Sequence, residues 1–283
     1  MIKTICVCGA GTMGSGIAQV SAQSGFKTIL FDLDDSILEK AKINITNSLQ
    51  FLCDKQKITP QQKESFFNSI LFTSDNKNCI AEVVIEAIVE KIEAKTALFN
   101  LLSIQNSKST IFATNTSSLP VTAIQKNVSH PERVVGMHFF NPAPVMKLVE
   151  VVKGEQTSES VLKEVFNLCE KMNKVPVICN DAPGFIVNRV ARHYYLEAMK
   201  LSEEGVATFE NIDKLMEASG FKMGPFKLMD LIGMDINLSV SQSLYKAFNN
   251  IKRFEPSQTQ IDKVKSGDLG RKTGKGFYSY PVK

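Results

Sequence analysis

A glycine-rich turn near the start of the chain constrains the fold more than any other feature. An apolar run, Lys3–Cys8, leads into glycines spaced G-x-G-x-x-G, and a helical pattern, Ser15–Ser24, follows them. A second apolar run, Phe26–Phe31, ends at Asp32, which lies 18 residues after the last glycine. A strand, a glycine turn, a helix and a second strand ending in an acid are typical of the βαβ unit that binds dinucleotides.

Each part of this unit has a physical role in binding a dinucleotide. The glycines permit a tight turn, a close approach of the pyrophosphate and close packing of helix on strand. The N–H groups at the start of the helix favour the phosphate charges. Asp32 can accept hydrogen bonds from a ribose diol and would repel a 2′-phosphate, so we expect NAD(H) rather than NADP(H). The loop residues predicted to bind this cofactor are Gly9, Gly11, Thr12, Met13 and Gly14.

The composition is that of a globular protein of one or two domains. The 283 residues are 43% hydrophobic and 22% charged, and the net charge of +4 is too small to indicate nucleic acid or a membrane as a partner. No apolar run approaches the ~18 residues of a membrane span. The six cysteines contain no C-x-x-C pair, so we expect buried thiols in a reducing cytoplasm and no metal site. The first strand begins almost at the first residue, which predicts no targeting segment.

A long helix is predicted from about Asp35 to Lys57, and Pro60 is expected to end it. Its apolar stripe contains Leu38, Ala41, Ile45, Leu49 and Leu52. Ser48 and Lys55 lie together beside this stripe, where they can meet a ligand that runs along the helix. A solvent-exposed helix face is the alternative for both.

Polar residues follow three later strands at the edge where ligands bind in open α/β sheets. Glu90 and Lys95 come after the apolar strand Ala81–Glu86 and are candidate cofactor neighbours, with a surface ion pair as the alternative. Ser117 and Ser118 follow the strand Ser109–Ala113, where one can cap the helix that starts at Pro120 while the other faces the cleft.

His138 is the only one of the three histidines at a strand exit, just before Asn141. In the next strand, period two places Glu150 between Leu148 and Val152 on one face. A carboxylate between apolar neighbours is costly unless it is paired. We therefore infer a His138–Glu150 pair in which the acid orients the ring for proton transfer. A structural histidine is the alternative.

The fold predicted from these elements is α/β, a Rossmann-type doubly wound sheet followed by an all-α C-terminal domain. Val175–Cys179 is predicted to be an edge strand because it contains a proline. Beyond Pro183 the pattern is helical, so we divide the chain into residues 1–183 and 184–283. Asn188, in the first helix of the second domain, is a candidate for the cleft, with a solvent-exposed helix position as the alternative. The many apolar helix faces suggest a subunit interface.

A series of motifs in this order resembles the L-3-hydroxyacyl-CoA dehydrogenase family, and more closely its free-standing bacterial 3-hydroxybutyryl-CoA dehydrogenases. The resemblance covers nearly the whole chain. It rests on Gly9–Gly14, Glu86–Glu90, Asn115–Ser118, His138–Pro144 with Lys147–Glu150, Pro183–Arg189, Met223–Pro225 and Gly274–Tyr278. The helical domain matches more loosely at Gly205–Asp213, which leaves the preferred acyl-chain length open.

The resemblance implies roles for the candidate residues. His138 and Glu150 match the catalytic pair, and Ser117 and Asn188 match the serine and asparagine that contact the substrate. The positions that match NAD contacts are Asp32, Glu90, Lys95, Ser117 and Asn141, and those that match contacts to the CoA moiety are Ser48 and Lys55. The family also implies a homodimer formed through the helical domain, an acyl-CoA substrate, and a place in butyrate or butanol fermentation or in fatty-acid metabolism.

Three alternatives stay open at this point. The first is a broader-chain 3-hydroxyacyl-CoA dehydrogenase. The second is a β-hydroxyacid dehydrogenase, but the helix that carries the catalytic lysine in those families offers Asn188 and Arg189 here. The third is a non-catalytic NAD-binding relative of the lens-crystallin kind, against which the His, Glu, Ser and Asn set argues.

Overall fold

A computed structural model describes residues 2–281. The chain divides into two compact units, the first ending at Ala182 and the second beginning at Pro183. The two units are described separately below.

The first unit is built on one eight-stranded sheet, in the order β3-β2-β1-β4-β5-β6-β7-β8. All neighbouring strands are parallel except β6 and β7, which are antiparallel. The carboxyl ends of β1, β4, β5 and β6 therefore lie at the same edge of the sheet, where ligands of such folds bind. The strands are β1 Thr4–Cys8, β2 Lys27–Phe31, β3 Ile70–Thr73, β4 Val83–Glu86, β5 Ile111–Thr114, β6 Val134–Phe139, β7 Leu148–Lys153 and β8 Val175–Asn180.

Six helices belong to this unit, and the central strands are buried beneath them. Apolar side chains of β1, β4 and β5 are almost completely excluded from solvent, which is typical of parallel strands covered on both faces. The predicted doubly wound sheet is confirmed, and β8, with Pro176, lies at its edge as expected. The helices are α1 Thr12–Gln23, α2 Asp35–Asp54, α3 Pro60–Asn68, α4 Ile92–Gln105, α5 Val121–Gln125 and α6 Glu159–Lys171.

The prediction for the segment after Asp32 is partly wrong. The apolar stripe of α2 is buried as expected, but the helix ends at Asp54, and Pro60 begins α3 instead of only ending α2. Proline is tolerated at a first helical position because that N–H has no partner within the helix. Thr59 and Gln62 form a capping box there, since the Thr59 hydroxyl accepts from the Gln62 N–H at 3.2 Å.

The second unit is helical and holds its C-terminal tail with two buried carboxylates. Asp213 accepts hydrogen bonds from the N–H of Phe226 and the hydroxyl of Tyr278. Asp230 accepts from the N–H groups of Phe277 and Tyr278. These buried acids fix the tail because each would be costly without its donors. The helices are α7 Val187–Glu203, α8 Phe209–Ala218, α9 Pro225–Ile232, α10 Met234–Ala247 and α11 Gln258–Lys265.

Three buried cysteines of the first unit form a cluster. The sulfur atoms of Cys6, Cys8 and Cys79 lie within 4.8 Å of one another, and all six cysteines of the chain are free thiols. The hydrogen bond to Cys79 and burial raise the pKa of Cys6 well above the ordinary value, and the hydrogen bonds to Cys6 and Cys79, with burial, do the same for the pKa of Cys8. The hydrogen bonds to Cys6 and Cys8 lower the pKa of Cys79 to about 4. Neutral buried thiols such as those of Cys6 and Cys8 pack as small hydrophobic groups.

Between residues 2 and 281, no helix has the length and apolar character needed to cross a lipid bilayer.

Candidate active site

The glycine turn joins β1 directly to α1, whose first residue is Thr12 rather than the expected Ser15. A Cβ atom on Gly14 would lie 1.7 Å from the carbonyl oxygen of Gly9, so close packing of helix on turn requires glycine there. At Gly9 φ is +98°, and a Cβ would approach the carbonyl oxygen of Ala87 to 2.6 Å. A Cβ on Gly11 would meet no protein atom within 4 Å, which leaves space for a phosphate at the helix start.

Asp32 follows β2 and supports the glycine turn. Its Oδ2 accepts a hydrogen bond from the N–H of Ala10 at 2.7 Å, and its Oδ1 accepts from the N–H of Asp34 at 3.1 Å. The carboxylate is only partly buried and lies at the same sheet edge as the turn. Asp32 therefore combines a structural contact to the turn with the position expected for a ribose acceptor.

An ion cluster lies at the exits of β4 and β5. Nζ of Lys95 lies 2.6 Å from Oε1 of Glu86 and 3.0 Å from Oε2 of Glu90. The side chains of Lys95 and Glu86 are 1% and 0% exposed, whereas that of Glu90 is 36% exposed. The alternative of a surface ion pair therefore does not describe Lys95.

Burial and charge act differently on the two acids of this cluster. Burial raises the pKa of Glu86, against the attraction of Lys95. Burial also acts to raise the pKa of Glu90, but Lys95 and the Thr116 hydroxyl outweigh it, so the pKa of Glu90 is lowered. Glu90 is thus held as a carboxylate next to the cofactor-binding edge.

Glu90 organises the loop that contains Ser117. The hydroxyl of Thr116, the N–H of Ser117 and the N–H of Ser118 all donate to Oε1 of Glu90. The N-cap of α5 is Pro120, so the alternative in which Ser117 or Ser118 caps that helix is wrong. The proline already has the extended backbone of a cap, and both serines bond to Glu90 through their N–H groups instead.

His138 and Glu150 are direct partners across the antiparallel pair β6–β7. Nδ1 of His138 lies 2.7 Å from Oε2 of Glu150, and their side chains are 7% and 1% exposed. His138 is the penultimate residue of β6 and lies near the edge at which the glycine turn follows β1. Phe140 packs against the imidazole with ring centroids 4.6 Å apart. This geometry fixes the orientation of the ring.

The loop after His138 lines a cavity of about 200 Å³ together with α1 and α2. Asn141 and Ser48 both lie on its wall, and Thr12 brings the glycine turn to it. Nζ of Lys174 donates to the carbonyl oxygens of Ala143 at 2.6 Å and Met146 at 2.8 Å, and these bonds hold the loop in place. The structure thus brings together one predicted CoA contact and one predicted NAD contact.

Two further predicted residues are Lys55, which lies outside the cavity, and Asn188, which belongs to the second unit. Lys55 is the exposed C-cap residue of α2, with its Nζ 5.6 Å from the ring centroid of Phe51, and it does not line the cavity that contains Ser48. Asn188 is the second residue of α7 in the helical unit and is partly buried. Its proximity to His138 stays a prediction.

Two residues at the site were not selected from the sequence. Glu86 is the last residue of a four-residue strand whose members are all buried, and an acid at the end of an apolar run was a readable signal for it. Lys174 precedes β8 and carries no such signal, because its partners are backbone oxygens more than 27 residues earlier in the chain.

Comparison with known proteins agrees with this geometry. Residues 4–182 match the NAD binding domain of 3-hydroxyacyl-CoA dehydrogenase, and residues 184–280 match the C-terminal domain of the same family. A Bacillus subtilis protein named probable 3-hydroxybutyryl-CoA dehydrogenase is 42% identical over 100% of this chain and 99% of its own length. The crystal structure of (S)-3-hydroxybutyryl-CoA dehydrogenase from Ralstonia eutropha superimposes with a TM-score of 0.93 at 35% identity, and each chain is covered completely.

A longer relative is also similar. The 3-hydroxyadipyl-CoA dehydrogenase of Escherichia coli is 44% identical over 99% of this chain, which spans 59% of the length of that protein. The family's NAD binding domain identifies NAD(H) as the cofactor, in agreement with the open space at Gly11 and the acid at Asp32. Both domain matches, the relatives and the fold therefore place the chain in the 3-hydroxyacyl-CoA dehydrogenase family of NAD-dependent oxidoreductases.

Proposed function

We propose that the chain interconverts (S)-3-hydroxybutyryl-CoA and acetoacetyl-CoA with NAD(H), with His138 as the acid–base residue and Glu150 as its partner. The observation that carries the proposal is the buried 2.7 Å contact between Nδ1 of His138 and Oε2 of Glu150. It lies at the carboxyl edge of the sheet that also bears the glycine turn. An acid–base group is thereby positioned next to a dinucleotide site.

The mechanism follows from the pairing of the ring. Because Nδ1 faces Glu150, Nε2 is the nitrogen that takes the proton from the 3-hydroxyl group during oxidation and returns it during reduction. Glu150 stabilises the imidazolium that this transfer creates. Ser117 and Asn188 are proposed to hold the reacting oxygen atoms in line. NAD(H), when bound, accepts or supplies the hydride at C3 of the substrate.

Support for a CoA thioester comes from the family and from α2. Ser48 lies on the wall of the 200 Å³ cavity beside Asn141. Lys55 is the C-cap residue of the same helix and offers a cation. We propose that both contact the CoA moiety. The names of the Bacillus and Ralstonia relatives favour a four-carbon acyl group. The name of the E. coli relative favours 3-hydroxyadipyl-CoA as a second candidate substrate.

We also propose a homodimer formed through the helical unit. That unit exposes several large apolar side chains, among them Leu215, Phe221, Leu231 and Ile236. Contiguous apolar patches mark interaction surfaces in many proteins, and we propose that these side chains contribute to one. Light scattering that gives the mass of one chain at micromolar concentration would contradict the dimer.

Six free thiols favour the cytoplasm as the location. The proposed reaction fits butyrate or butanol fermentation or fatty-acid metabolism.

A substrate panel tests this function. NADH oxidation is followed with acetoacetyl-CoA, with 3-ketoacyl-CoAs of longer chains, with 3-ketoadipyl-CoA and with free acetoacetate. We expect the highest kcat/KM with acetoacetyl-CoA and little activity with the free acid, because the CoA contacts are missing there. A preference for longer chains or for the adipyl thioester would replace the proposed substrate. Activity with free acetoacetate alone would contradict the CoA site.

A further inference from the structure

A fully buried carboxylate, Glu86, connects three parts of the cofactor-binding edge. Its Oε1 accepts from Nζ of Lys95 at 2.6 Å and from the N–H of Ile88 at 2.7 Å. Its Oε2 accepts from the hydroxyl of Thr114 at 2.7 Å. Thr114 ends β5, Ile88 lies in the loop after β4, and Lys95 lies in the first turns of α4. One side chain thus joins two strand exits and a helix.

The charges of this cluster do not balance within it. Among residues 2–281, Lys95 is the cation that contacts both Glu86 and Glu90, so two acids share one ammonium group. Glu86 bonds to Lys95, Ile88 and Thr114, whereas Glu90 reaches the Thr116–Ser118 loop. The ammonium group between the acids is therefore fixed by Glu86 on one side, and Glu90 is free to accept from the loop with its other oxygen.

The segment that follows Glu86 also touches the glycine turn. The N–H of Ala87 donates to the carbonyl oxygen of Cys8 at 2.7 Å, and the carbonyl of Ala87 occupies the space where a Cβ on Gly9 would lie. By accepting from Ile88, Glu86 holds this segment in place. A change at Glu86 would therefore be transmitted to both the phosphate turn and the Ser117 loop.

We propose that Glu86 is a positioning residue for NAD(H): it anchors Lys95 and the loop after β4, so that Glu90 and the Thr116–Ser118 loop keep the geometry that binds the cofactor. This inference rests on the proposed function for the roles of Glu90, Lys95 and Ser117. Without the charge of Glu86, Lys95 moves towards Glu90 and competes with the loop donors for its oxygens. The effect on NADH is therefore indirect.

The Glu86→Gln variant tests this inference, because it keeps the size of the side chain and removes its charge. NADH binding is measured by fluorescence titration without acyl-CoA, beside the melting temperature. We expect the Kd for NADH to rise roughly tenfold, the effect of losing a charged hydrogen bond. Asp230→Asn is the matched control, since Asp230 is an equally buried acid of the helical unit. It should lower the melting temperature and leave the Kd for NADH unchanged.

A double-variant cycle separates positioning from a general structural role. If Glu86 acts through Lys95, Glu86→Gln should change the Kd for NADH much less in a Lys95→Met background than in the wild type. Additive effects, or a folded Glu86→Gln variant that binds NADH within twofold of wild type, would overturn the inference. If Glu86→Gln does not fold, Thr114→Val removes one donor to the same carboxylate and should raise the Kd in the same direction, and an unchanged Kd would overturn the inference.

The same experiments distinguish this inference from the proposed function. A wild-type chain that binds NADH but does not reduce acetoacetyl-CoA would contradict the proposed substrate. The NADH titration of the variants would still decide the role of Glu86.

Discussion

Asp32 has two proposed roles, support of the glycine turn and repulsion of a 2′-phosphate, which a substitution can separate. Its Oδ2 accepts from the N–H of Ala10, and its negative charge lies at the sheet edge where we expect the ribose to bind. Asparagine keeps an oxygen acceptor for Ala10 but has no charge. Comparison of the two side chains therefore isolates the electrostatic term from the support of the glycine turn.

The Asp32→Asn variant should relax the discrimination against NADPH. The wild type is expected to prefer NADH because a 2′-phosphate would approach the Asp32 carboxylate, and removal of a close repulsive charge changes binding by about tenfold or more. The measurement is the ratio of kcat/KM for NADH and NADPH in both proteins. An unchanged ratio, or a wild type that prefers NADPH, would show that Asp32 does not select the cofactor.

Single residues were predictable where a pattern isolates them. His138 and Glu150 stood out because histidine is scarce in this chain and because period two places the acid between apolar neighbours. Glu86 was not selected although it ends an apolar run, because its partners come from β5 and α4 and cannot be identified from the sequence. Lys174 was missed for the same reason. The end of α2 was misjudged, since the helix stops at Asp54 and Lys55 is its C-cap residue.

At the scale of elements, the clearest misjudgement concerns the ends of helices. Pro60 was expected to end α2 but is the first residue of α3. Pro120 was expected to start a helix but is the N-cap residue of α5. The strands were located to within about two residues because each carries an apolar run, which in the central strands is buried on both faces. Helix ends depend on caps formed by side chains a few residues away, which the apolar pattern does not report.

The junction of α7 and α11 gives a prediction with a defined pH dependence. Glu203 ends α7 and accepts from the hydroxyl of Thr259 at 2.6 Å and from its N–H at 3.2 Å, beside the Ser257 hydroxyl. Burial acts to raise the pKa of Glu203, but these hydrogen bonds outweigh it and lower the pKa below its ordinary value of 4.5. A lowered folded-state pKa means that the carboxylate stabilises the fold above pH 4.5 and that this stabilisation is lost as the pH falls.

The Glu203→Gln variant should therefore melt a few degrees below the wild type at pH 7, corresponding to about 1 kcal/mol or less for so exposed a group. The difference should shrink as the pH falls through and below 4.5. Glu204→Gln is the matched control, because its contact with Lys200 is 3.8 Å long and exposed. It should have almost no effect at either pH. A Glu203→Gln difference that does not shrink between pH 7 and pH 3 would contradict the role of the charge.

For the whole molecule, the doubly wound sheet and the helical character of the second unit followed from the sequence, whereas the order of the strands and the antiparallel pairing of β6 with β7 did not. The βαβ unit at the start requires a parallel sheet, and the loss of strand patterns after Pro183 required helices. The relation of Asn188 to His138 did not follow, because it depends on how two separately folded units pack. The family match accounts for both units at once, since one domain match covers each.

The central claim is that His138, paired with Glu150, transfers the proton during reduction of acetoacetyl-CoA. The most direct measurement is kcat of His138→Gln and Glu150→Gln beside the Kd of each variant for NADH. We predict that kcat falls by about 10²–10⁴, the usual contribution of a general acid–base group, and that the Kd for NADH changes little. Near-normal turnover of acetoacetyl-CoA by folded His138→Gln would contradict the claim.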